Sequence, residues 1–140
     1  MTPSDFFPDV WNIFHDGTVE RIVGEVPGSV ELFIDIEYLR ERFSEPGECF
    51  VIRLEGCSLL SFNPYEGESR TSLSEIEQIA PDILSAERDG DRCKVFGDAG
   101  VLLVRAESGS LRLDAGTELS LQELKDVASG YWDDWSRKDK

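Results

Sequence analysis

Residues 29–39, Ser-Val-Glu-Leu-Phe-Ile-Asp-Ile-Glu-Tyr-Leu, set Val30, Leu32, Ile34, Ile36 and Tyr38 against Glu31, Phe33, Asp35, Glu37 and Leu39. A repeat of two puts alternate side chains on opposite faces of a strand, so this stretch predicts a half-buried strand from Val30 to Tyr38. Residues 18–24 are its expected hairpin partner, joined through residues 25–29, where Pro27-Gly28 is turn chemistry. Residues 48–62 predict one strand through Phe50, Ile52 and Leu54 and a shorter one after Gly56, followed by a loop over residues 63–69. Two more hairpins are expected, around Asp89-Gly90 and around Ser108-Gly109.

The apolar period lengthens in three places. Residues 3–17 predict a short helix with Pro8 in its first turn and Asp9 at the positive end of its dipole. Val10, Ile13 and Phe14 share one face of it, and Gly17 stands where a helix stops. A capping box of Ser72 with Glu75 opens a second helix of about two turns, which Pro81 ends. The last helix follows a second box, Ser120 with Glu123, and carries Leu121, Leu124, Ala128, Tyr131 and Trp135 as one stripe. Trp132, beside the stripe, is assigned to the core, and Gly130 marks a close backbone contact or a bend. Asp133 stands at ion-pair spacing from Arg137. The sum is an α+β fold, a mainly antiparallel sheet of six to eight strands with short N-terminal and middle helices and an amphipathic C-terminal helix. No repeat or linker divides residues 1–140, so a single domain is expected.

Composition changes the picture through charge. Twenty-nine acidic side chains against 14 basic ones leave a net charge of -15. Such a field repels nucleic acid and anionic membranes and steers a basic partner inward. No apolar run approaches the roughly 18 residues that span a bilayer. Three cysteines without close spacing, and no cationic apolar leader, lead us to expect a cytoplasmic protein.

The search for chemistry yields little. Cys49, Cys57, Cys93 and His15 lack the close pairs of a zinc site. Residues 89–94 begin like a calcium loop but place Cys93 at the third ligand position and Lys94 where glycine is required. Residues 24–29 have two glycines and a serine but no lysine, so they are no phosphate loop, and neither a nucleophile elbow nor a dinucleotide fingerprint occurs. No cofactor or metal is expected. His15 precedes Asp16, but adjacent side chains do not face each other in helix or strand, and a histidine before Asp-Gly suits a helix end. The enzymatic alternative is a pocket using His15, Asp16 and the thiol of Cys57, which follows Gly56 at a strand end.

Binding has two candidate surfaces. On the second face of the Val30 strand, Glu31, Asp35 and Glu37 surround Phe33, an apolar centre in an acidic rim. Tyr65 begins a second acidic stretch with Glu66 and Glu68 that runs to Asp91.

The run Phe14-His15-Asp16-Gly17-Thr18-Val19-Glu20-Arg21-Ile22, followed by the alternating strand, resembles the opening of small, uncharacterised bacterial domains. Some of these are assigned as immunity proteins, which bind and neutralise a cognate toxin. The likeness ends at Phe43, and only His15, Asp16 and Gly17 match the shared turn. It implies a non-enzymatic, toxin-masking role whose partner is a basic protein; a homo-oligomer is a further alternative.

Overall fold

In the computed structural model, which describes residues 3–138, the chain runs through four helices and nine strands. Their order is α1 (Pro3–Ile13), β1 (Thr18–Gly24), β2 (Gly28–Asp35), α2 (Glu37–Arg40), β3 (Phe50–Cys57), β4 (Leu59–Pro64) and α3 (Leu73–Ile79). Then follow β5 (Ser85–Asp89), β6 (Arg92–Phe96), β7 (Gly100–Arg105), β8 (Ser108–Leu113), β9 (Glu118–Leu119) and α4 (Leu121–Lys138). The α+β class is as expected, but the strands divide into two antiparallel sheets, β1-β2-β3-β8-β9 and β4-β7-β6-β5, instead of one.

The alternation in β2 does what its period dictates. Val30, Leu32 and Ile34 are fully buried, and each stabilises the fold by roughly 1.5–3 kcal/mol. They join Phe50, Ile52 and Leu54 of β3, Phe14 of the first turn, and Leu102 and Val104 of β7 in one continuous core cluster. Helix α1 contributes Phe7, Val10 and Trp11 to that cluster and lies against β5, β6 and β8, so it touches both sheets.

The departures have local causes. The strand stops at Asp35 and not at Tyr38, because Glu37–Arg40 coil into α2, where the successive residues Leu39 and Arg40 are both buried. Two adjacent buried side chains cannot lie on one face of a strand, but one helical turn accommodates them. Helix α1 begins at Pro3, which leaves Pro8 inside it. Its left-handed stop residue is Asp16, with φ 74°, and not Gly17. Ser72 is the N-cap of α3 but makes no side-chain cap bond; its hydroxyl meets that of Ser74, and Glu75 pairs with Arg70 instead. The box at α4 does form: Ser120 Oγ accepts from the Glu123 N–H at 3.0 Å, and Glu123 Oε1 accepts from the Ser120 N–H at 3.1 Å.

The expected hairpin around Ser108-Gly109 is absent: β7 and β8 belong to different sheets. Gly109 sits within β8 opposite Leu54, and the chain changes sheet at Ala106, whose side chain is buried. The outgoing change is at Ser58, directly beside the returning one. Ser58 donates to the Arg105 carbonyl at 2.9 Å and Glu107 to the Glu55 carbonyl at 2.9 Å. Gly130 meets nothing within 4 Å where a Cβ would stand, so it marks no close contact. Among the described residues no helix is long and apolar enough to cross a membrane.

Candidate partner-binding surface

The outward face of β2 is not the acidic platform its own residues suggest. Cross-strand pairing lines up Arg21, Phe33, Val51 and Arg112 in one row and Val23, Glu31, Arg53 and Ser110 in the next. Arg112 pairs with Glu31 at 2.8 Å, Arg53 pairs with Glu55, and the Arg21 guanidinium lies 5.0 Å from the centre of the Phe33 ring. Phe33 is half-buried and covers Val51, which is fully buried. Arg112 of β8 therefore neutralises Glu31, and the arginines of β1 and β3 flank Phe33 and Glu55, so the outward face of β2 carries both signs of charge.

The acidity gathers instead where β2 ends. Asp35 and Glu37 line two adjoining hollows, of about 500 and 460 Å³, together with Glu41. Glu20, Glu45 and Glu48 complete the first hollow, and Asp16 joins the second. Burial and the neighbouring carboxylates of Asp35 and Glu48 push Glu20 above the ordinary carboxylate range. Among the described residues no cluster of three or more His, Cys, Asp or Glu is arranged to hold a metal ion.

A buried ion pair keeps this acidic wall in place. Arg40, 3% exposed, donates to the carbonyls of Cys49, Glu45 and Pro46 and pairs with Asp114 at 2.9 Å. The other Asp114 oxygen accepts from the Glu48 and Cys49 N–H groups at 2.7 and 3.2 Å. Gly47 is obligatory here, since a Cβ would fall 2.1 Å from Asp114 and 2.3 Å from Arg40. Burial works to raise the Asp114 pKa, but the Glu48 N–H, the Arg40 guanidinium and the Cys49 N–H overcome it and hold the carboxyl at about 2.

A pH dependence follows. The unfolded chain protonates this carboxyl near pH 3.9, so its contribution of about 2 kcal/mol is complete above about pH 4 and is lost as pH falls through about 2. The stability gap between the native protein and Asp114→Asn, measured by urea unfolding, is expected to narrow by that amount across this window. A gap that stays constant from pH 5 to 2 would remove the assignment.

Tyr38 connects the acidic hollow to an aromatic cluster on α4. Its ring stacks on Tyr131 at 4.5 Å and meets Trp132 edge-on at 6.0 Å. Trp132 stacks on His15 at 5.4 Å and touches Trp135 at 5.9 Å. Trp132 and Trp135 are 37% and 50% exposed, so Trp132 is a surface residue and not part of the core. Burial, reinforced by Asp16 and Tyr131, pushes the Tyr38 hydroxyl up to about 12, and it donates to the His15 carbonyl at 3.1 Å. Arg42 lies over Tyr131 at 5.2 Å and pairs with Asp134 at 2.8 Å.

Neither a protein-family model, nor a curated protein, nor a solved structure matches the chain.

The remaining sequence candidates lie apart. His15 Nδ1 contacts the Asn12 carbonyl at 2.8 Å, and its Nε2 is 3.8 Å from Asp16. Asp16 donates its N–H to the Ile83 carbonyl, and Gly17 accepts from Ile83 N–H, so the turn is a corner fastened to the start of the second sheet. His15 lines a hollow of about 350 Å³ with Asp9, Asn12, Lys125 and Trp132. Cys57 is fully buried, burial raises its thiol pKa, and it contacts the Leu59 carbonyl. The thiol is not exposed at the strand end, as the alternative reading required. Tyr65 is 61% exposed, with its hydroxyl on the Gly97 carbonyl at 3.0 Å, and Glu66 and Glu68 are exposed beside it at the end of β4. Several acids further along that stretch are engaged inside the protein: Glu77 with the Ile22 N–H, Asp82 with the Asp98 N–H, and Asp89 with Arg92.

Proposed function

We propose that this protein binds a basic protein partner through the surface centred on Tyr38 and masks it without catalysis. The observation that carries the reading is the junction of seven carboxylates with an aromatic group whose two tryptophans are open to solvent. Trp and Tyr are the side chains that most often dominate binding energy at the centre of an interface. Carboxylates beside them accelerate encounter with a cationic surface and discriminate against anionic ones. The role matches that of the toxin-neutralising bacterial proteins which the first forty or so residues resemble. A basic, toxin-like protein in the cytoplasm is the partner we propose.

The test is a charge swap. Asp35→Lys, Glu37→Lys and Glu41→Lys combined, used to capture the partner from the native host, is expected to weaken association at least tenfold. The salt dependence of the residual binding should flatten. Glu66→Lys with Glu68→Lys, in the loop after β4, serves as the control and is expected to leave association within twofold. Undiminished capture by the triple variant, or a loss confined to the control pair, would move the interface elsewhere.

A further inference from the structure

A cavity of about 480 Å³ opens where the chain changes sheets, and it shares no lining residue with the Tyr38 surface. Its volume lies within the range of small-molecule sites. The inner wall is apolar, formed by Phe7, Cys93 and Ala106, which are 3%, 2% and 6% exposed. The rim is not. Arg88, Arg92 and Arg105 converge on it, three of the 14 basic side chains in a chain of net charge -15.

These three guanidinium groups are not equally engaged. Arg92 is neutralised by Asp89, with both contacts at 2.9 Å. Arg88 uses only Nε, on the Gly90 carbonyl at 3.0 Å, and among the described residues has no carboxylate partner. Arg105 is oriented by a 2.9 Å bond from Nε to Ser58 Oγ, and the carboxylate nearest to it, Asp91, stands at 3.7 Å and is 77% exposed. Two planar forks therefore face the cavity mouth with donors to spare, the geometry that grips a carboxylate or a phosphate in pairs of bonds. Asp91 and Glu107 also line the mouth, so selection there comes from guanidinium geometry and not from a net positive field.

We propose that this cavity binds a small amphiphilic organic anion. Its carboxylate or phosphate head lies on Arg88 and Arg105, and its apolar body on Phe7, Cys93 and Ala106. The site stands independently of the partner surface, and either proposal survives the failure of the other.

Calorimetric titration of the intact protein at low ionic strength with octanoate, octyl phosphate, inorganic phosphate and octyltrimethylammonium tests it. At least one octyl anion is expected to bind saturably at one site, at least tenfold more tightly than inorganic phosphate, with no binding of the cation. The better of the two anions identifies the head group. Arg88→Gln with Arg105→Gln is expected to weaken that binding at least tenfold while the melting temperature stays within a few degrees, since Arg88 is exposed and the Arg105 side chain is 42% exposed. Absence of saturable binding by both octyl anions, equal binding of the cation, or full binding by the double variant would overturn the proposal.

Discussion

Replacing Arg40 with methionine is expected to destabilise the protein by about 3–5 kcal/mol, the cost of removing one member of a buried, hydrogen-bonded ion pair. Methionine matches the aliphatic stem but supplies no donors. The carbonyls of Glu45, Pro46 and Cys49 and one oxygen of Asp114 would lose their partner together. Urea unfolding near neutral pH measures the loss directly. A cost below about 1 kcal/mol would mean that the loop over residues 45–49 is held by its backbone alone. The same loop carries Glu45 and Glu48, so the variant should also blur the acidic wall without altering any of its charges.

Gly17→Ala is expected to cost about 1–3 kcal/mol, and His15→Ala about 1 kcal/mol or less. A Cβ on Gly17 would stand 2.9 Å from the Phe14 carbonyl oxygen, 3.2 Å from Ile34 Cγ2 and 3.3 Å from the Asp35 carbonyl oxygen. Two of these neighbours are backbone and the third is packed in the core, so none yields easily. His15, in contrast, is about one-third exposed and loses chiefly its stacking on Trp132. Comparison of the two unfolding midpoints decides what the His-Asp-Gly turn is for. A larger loss for His15→Ala than for Gly17→Ala would refute the view that its glycine serves close packing.

The parts of this fold that depend on neighbours in sequence could be read from sequence. The alternation of Val30, Leu32 and Ile34, the Asp89-Gly90 turn and the Ser120–Glu123 box each involve residues within a few positions of one another. What escaped depends on distant segments. Glu31 looked like part of an acidic face because Arg112, which neutralises it, is 81 residues away. Arg40 gave no sign of its role because Asp114 lies 74 residues further on. Trp132 is compatible in sequence with either core or surface, and its place beside the α4 stripe turns it toward solvent. Asp35 and Glu37 are legible in sequence only as acidic residues; the helical turn that brings Glu41 to the same hollows is not legible from them. A signal for that turn existed in the adjacent Leu39 and Arg40, which break the strand alternation.

The paired crossings at Ser58 and Ala106 bear on the order in which the chain assembles. Strands β3 and β8 are separated by about fifty residues, and joining their ends directly would cost the entropy of closing that loop. The β5–β6–β7 meander is built from near neighbours, and the pairing of Leu59 with Arg105 then brings Glu55 and Glu107 together. From that point β8 can zip onto β3 one residue at a time, starting at the corner. A topology that looks non-local on the finished structure can thereby be reached through closures each shorter than a direct joining of β3 to β8.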